Sequence, residues 1–146
     1  MKIRVLLFDD ELGKIRNGAK VAQLFGVEAV YDAESGGVLY SSRPIPRQDM
    51  ELGTNRAASI DSPDRIELWI SSGQIVHSGS VVNSSHLVEQ VLRSGWPFAD
   101  GTRWALVLID LVFKSPLAPD RGRMFGVDIF KLVGKNCPGL RALAFS

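Results

Sequence analysis

Two nearly continuous apolar runs that stop abruptly on carboxylates constrain this chain more than any other feature. Ile3 to Phe8 ends at Asp9-Asp10-Glu11, and Trp104 to Ile109 ends at Asp110. Runs of this kind, rich in branched side chains, suit strands covered on both faces of a parallel sheet. In open parallel α/β sheets the loops leaving the carboxyl ends of neighbouring strands converge on one crevice, where ligands bind. Two acidic strand ends therefore belong to one place.

The residues between the runs supply the rest of an α/β pattern. Leu12, Ile15, Ala19, Ala22 and Phe25 recur at helical spacing with Lys14, Arg16, Asn17 and Lys20 between them, and Gly26 ends the helix. Val27 to Tyr31 reads as a second strand, so the opening is a strand-helix-strand crossover. From Ser35 to about Asp64 periodicity is lost among Gly36, Gly37, Pro44, Pro46, Gly53 and Pro63, and the stretch reads largely as loop. Arg65 to Ile70 and Gln74 to Val82 flank Ser71-Ser72-Gly73 and are expected to pair as an antiparallel hairpin. Ser84 or Ser85 caps a helix with Leu87, Val88, Val91 and Leu92 on one face, ending near Gly95. A further helix carries Val127, Ile129, Phe130 and Val133 and is expected to close at Gly134. Arg141 to Phe145 reads as a last strand, followed by Ser146.

With 45% hydrophobic residues, 146 residues suffice to bury the core of one domain. Lys plus Arg total 17 against 16 Asp plus Glu, so no strong net field points to nucleic acid or an anionic membrane as partner. No stretch approaches the roughly 20 apolar residues that span a bilayer. The short run before Asp9 is too short for a signal peptide, and a cytoplasmic location is the expectation. The single cysteine, Cys137, has no partner for a disulfide or a zinc site and is expected to be a small buried side chain.

Carboxylates gathered at one sheet edge raise one another's pKa values unless a cation is present. Hard oxygen donors of this type suit Mg²⁺. A carboxylate held against such an ion can also attack phosphorus, because the metal neutralises the phosphoryl oxygens and fixes in-line geometry. Ser146 would offer a hydroxyl to the same place. Asp9 or Asp10 can equally cap the first helix, and Asp110 can open a solvated loop; two acidic strand ends with a hydroxyl ending a third favour a site.

Taken together, the segments RVLLFDDE, WALVLID, MFGVDIFKLV and LRALAFS resemble the successive signatures of response regulator receiver domains, over about residues 2 to 34 and 86 to 146. The resemblance implies a flavodoxin-like parallel sheet with flanking helices. It implies Mg²⁺ held by Asp9, Asp10, Asp110 and the backbone carbonyl of Val112. Asp110 would be the phosphoacceptor, Ser146 would hydrogen-bond the phosphoryl group, and a sensor histidine kinase or phosphotransfer protein would be the donor. Enzymatic activity would extend at most to Mg²⁺-dependent self-phosphorylation and dephosphorylation. The distance from acidic pair to acceptor exceeds the family's, which marks residues 35 to 84 as an insertion carrying a β-hairpin. The loop KSPLAPDRGRM is long, although Gly126 fits the glycine that introduces the family's third helix. No lysine follows Lys135, so the resemblance further implies a domain of residues 1 to 146 that is incomplete at the C-terminus, before its fifth strand. An output domain would lie beyond Ser146, and dimerisation or strand exchange would cover the open edge.

Two other readings stay open. A pseudo-receiver would keep the fold and bind a partner without being phosphorylated. A haloacid-dehalogenase-like phosphatase would need a DxD pair where this chain has Asp9-Asp10-Glu11. A Ser/His/Asp hydrolase lacks its GxSxG turn. His77 and His86 lack a second ligand at metal spacing, Trp69, Trp96 and Trp104 read as packing, and Arg43, Arg47 and Arg56 read as solvated loop residues.

Overall fold

Strand β1, Lys2–Phe8, is the hub of the molecule. Leu6, Leu7 and Phe8 are each 0% exposed, so consecutive residues are buried on opposite faces, as expected of an interior strand. In the computed structural model, which describes residues 2–11, 18–42, 65–113 and 124–145, β1 pairs in parallel with two strands. These are β4, Arg65–Ser71, on one side and β7, Leu106–Asp110, on the other. Among the described residues the sheet has six strands. Beyond β4 lie β2, Ala29–Asp32, and β3, Val38–Ser41; beyond β7 lies β8, Ala142–Phe145, giving the order β3-β2-β4-β1-β7-β8. All neighbours are parallel except the β2–β3 hairpin.

Each face of the sheet has its own core. Helix α1, Gly18–Phe25, sets Val21 and Ala22 against Leu7, Val30, Leu68 and Ile70. On the opposite face, Val88, Val91 and Leu92 of α2, Ser85–Ser94, join Phe125, Ile129 and Val133 of α3, Phe125–Asn136. These helices cover Leu6, Phe8, Val107 and Ile109. Among the described residues no helix is long and apolar enough to cross a membrane.

Local signals explain the helix limits. The Ser84 side chain accepts a hydrogen bond from the Leu87 amide at 3.2 Å, and Gly95 closes α2. Gly26 ends α1 with φ +62°. The third helix does not close at Gly134 but runs to Asn136, because Gly134 does not adopt the positive φ that would end a helix there. Cys137 is buried, and burial pushes its thiol up to about 11. Trp69 and Trp104 sit in the core and Trp96 packs against it.

One expected pairing is overturned. Arg65 to Ile70 does not form a hairpin with Gln74 to Val82; it enters the centre of the sheet as β4, between β2 and β1. The small hairpin is instead β5, Gln74–His77, with β6, Ser80–Asn83. Its turn is Ser78-Gly79, both residues with positive φ, the backbone that two-residue hairpins require. Residues 35 to 84 therefore do not stand apart as one appendage, since β3 and β4 belong to the main sheet. Glu67 is the charged residue in the middle of β4. In the fold Glu67 is 0% exposed and lies in register with Arg4 on β1, whose Nε donates to its Oε1 at 2.9 Å. A cross-strand ion pair thus lets a charged residue occupy an interior strand. β4 also separates β2 from β1.

Candidate metal centre at the carboxyl edge of the sheet

The parallel register places Phe8 opposite Ile109, so β1 and β7 deliver their terminal carboxylates side by side. Asp9, Asp10 and Asp110 each present a carboxylate oxygen within 4.8 Å of the others. Asp9 and Asp10 are buried and Asp110 is half-buried.

Backbone geometry fixes these groups. The Asp9 amide continues the ladder to the Ser71 carbonyl at 3.1 Å, and the Asp9 Oδ1 accepts the Glu11 amide at 2.8 Å. On β7, the Asp110 Oδ1 accepts the Val112 amide at 3.1 Å. The next residue, Leu111, donates to the Phe145 carbonyl at 3.0 Å. Val112 thus lies at the mouth of the site. Phe145 ends β8 in register with Asp110; Ser146 falls outside the described residues.

Burial raises the Asp110 carboxyl above its ordinary range, and the charges of Asp10 and Glu11 raise it further, against the opposing Val112 hydrogen bond. A divalent cation reverses that balance by favouring the ionised form. The donor set fits Mg²⁺, being all carboxylate oxygen. At Mg–O distances near 2.1 Å, ligand atoms stand at most about 4.2 Å apart, so oxygens that already lie within 4.8 Å of one another need close in only slightly on an ion.

The same edge carries residues that sequence reasoning did not connect with the site. Ser71 ends β4 beside Phe8 and donates its hydroxyl to Glu34 Oε1 at 3.0 Å. Loss of hydration raises the Glu34 carboxyl, with Asp32 adding to the rise and the Ser71 and Ser72 hydrogen bonds opposing it. A recess of about 110 Å³ lies here, lined by Asp32, Glu34, Leu39, Ile70 and Ser72. The usable signal was the Ser71-Ser72-Gly73 break after an apolar run, hidden by its assignment to a hairpin turn. His77 falls on β5 and His86 at the start of α2, and neither belongs to the acidic group. No family model, no curated protein and no solved structure matches this chain.

Proposed function

We propose that this chain is a receiver-type domain of a two-component phosphorelay, cytoplasmic, that accepts a phosphoryl group on Asp110 beside Mg²⁺. The observation that carries the reading is the convergence of Asp9, Asp10 and Asp110 oxygens within 4.8 Å at neighbouring strand ends. Strand order supports it. With β4 counted as the second strand, β4-β1-β7-β8 follows the flavodoxin-like order 2-1-3-4, and the β2–β3 hairpin is an addition at the edge. Among the described residues, one helix on one face and two on the other agree with that winding.

Asp9, Asp10, Asp110 and the Val112 carbonyl would hold the ion, which when bound supplies positive charge to the transferring phosphoryl oxygens. The Asp110 carboxylate attacks phosphorus in line. The donor's bond to phosphorus breaks as the new P–O bond forms, and the departing group of a histidine kinase or phosphotransfer protein leaves with the bonding pair. The strand-end position of Asp110 holds its carboxylate for that approach, and the Val112 amide steadies its Oδ1. Ser146 would donate to the phosphoryl group once transferred.

Beryllofluoride with Mg²⁺ tests the reading without requiring turnover. Amide NMR shifts should move at Asp10, Leu111 and Val112 in the wild type and remain still in Asp110→Asn. Mg²⁺-dependent, alkali-labile labelling by a small phosphodonor should likewise disappear in Asp110→Asn. Mg²⁺ binding with no beryllofluoride response would leave the pseudo-receiver as the better account.

A further inference from the structure

The first turn of α3 meets the Asp110 loop without an intervening side chain. A Cβ on Gly126 would stand 2.2 Å from the Asp110 carbonyl oxygen, 2.5 Å from the Leu111 Cα and 2.9 Å from the Asp110 carbonyl carbon. All three are backbone atoms, so no flexible side chain can swing aside. The Gly126 amide donates to the Leu111 carbonyl at 3.3 Å. The neighbouring Phe125 ring packs edge-on against Phe113, with centroids 5.4 Å apart. Helix and loop are therefore joined on both sides of this contact.

From this contact, and resting on the metal-binding reading above, we infer that Gly126 is a positioning residue for Asp110. By seating α3 directly on the Asp110–Leu111 backbone, it fixes the direction in which Asp110 presents its carboxylate to the cation. A side chain at this position must displace one of two bodies. The helix is held by Ile129 and Val133, both buried in the core that it shares with α2. The strand is held by β1 and β8 on either side. The half-exposed Leu111 and the exposed Val112 follow the strand's last residue, so the strain is relieved in the backbone leaving Asp110 and re-aims its carboxylate. The coupling acts through Asp110, since Gly126 itself offers no ligand atom to the group.

The test is the affinity of the whole chain for Mn²⁺, as a paramagnetic stand-in for Mg²⁺, beside thermal unfolding of the metal-free protein. Gly126→Ala should weaken Mn²⁺ about 10- to 100-fold, the range typical for residues that orient metal ligands. Gly95→Ala is the control for packing damage alone. Its Cβ would stand 2.3 Å from Trp104 Cε2, away from the acidic edge, so it should lower the unfolding temperature while keeping wild-type Mn²⁺ affinity. Phe125→Leu retains Gly126 and loosens the same turn; it should show a smaller but definite loss of affinity, and decides the matter if Gly126→Ala does not fold. Wild-type affinity in folded Gly126→Ala, or in Phe125→Leu where the former does not fold, overturns the inference. An equal loss of affinity in Gly95→Ala also overturns it. Failure of the wild type to bind Mn²⁺ overturns the metal-binding reading itself, which separates the two.

Discussion

The molecule carries two clusters of carboxylates along β1, and they are handled in opposite ways. Toward the amino end, Arg4 is 5% exposed and reaches Glu67 at 2.9 Å and Asp100 at 2.8 Å. It also donates to the Thr102 hydroxyl and lies over the Phe98 ring at 4.3 Å. Five residues further along β1, about 17 Å for an extended strand, Asp9 and Asp10 face Asp110. Burial opposes ionisation at both places. At Asp100 it is outweighed by Thr102 and Arg4, which hold the carboxyl down at about 2. At Asp110 it is reinforced by Asp10 and Glu11, and the carboxyl rises. The first cluster contains its own cation, the Arg4 guanidinium, and serves folding. The second has no such cation of its own among the groups that shift Asp110 and would gain charge balance from a bound metal ion, and that difference separates structural carboxylates from candidate functional ones here.

The largest expected effect tests the Arg4 cluster. Arg4→Met leaves the fully buried Glu67 carboxylate without its guanidinium, and breaking such a pair costs about 3–5 kcal/mol. Urea denaturation should show that loss, and Arg4→Met/Glu67→Met should regain most of it, because two apolar side chains leave no stranded charge. A single variant as stable as the wild type would mean that the network contributes no net stability.

The acidic edge should respond in the reverse sense. Asp10→Asn removes one of three like charges, so the metal-free protein should lose little or no stability. Its Mg²⁺ affinity should nevertheless fall about 10- to 100-fold, as isothermal titration would read. A variant that unfolds easily yet binds Mg²⁺ normally would assign Asp10 to folding instead.

The contrast also explains what was legible in the sequence. β1 and β7 announce themselves because interior strands need apolar residues on both faces, and the residues that break those runs are the acidic ones. Asp9, Asp10 and Asp110 could therefore be brought together from pattern alone. The helix starting after Ser84 was legible for a similarly local reason, its capping hydroxyl. β4 was not, because its interior place depends on Arg4 lying opposite Glu67, a pairing across 63 residues of chain. Losing β4 also hid the approach of Ser71 to Glu34 and to the Asp9 backbone. Local patterns located the strand ends; long-range charge pairing decided which strand lies between which.

The smallest effect is a pair of opposed pH dependences. The Asp100 carboxyl falls from an ordinary 3.8 to about 2 on folding. The folded state therefore holds its proton less tightly than the unfolded chain does. Its contribution is present in full above pH 4 and fades as pH falls toward 2. The Asp100 side chain is 42% exposed, so solvent screening keeps the contribution below about 1 kcal/mol. Asp100→Asn should thus be slightly less stable than wild type at pH 7 and converge with it near pH 2. Asp110 works in the other direction, because its raised carboxyl makes the folded state the tighter proton binder. In metal-free buffer, protonation of Asp110 favours the wild-type fold as pH falls through the carboxylate range, a gain that Asp110→Asn lacks. Difference curves from thermal unfolding, each variant against wild type, should consequently slope in opposite senses between pH 7 and pH 3. Parallel slopes would show that both carboxylates experience the same kind of surroundings and would remove the electrostatic distinction between the two ends of β1. Adding Mg²⁺ at pH 7 should stabilise the wild type and leave Asp110→Asn nearly unmoved, while Asp100→Asn responds as the wild type does, because Asp110 belongs to the proposed cation site and Asp100 does not.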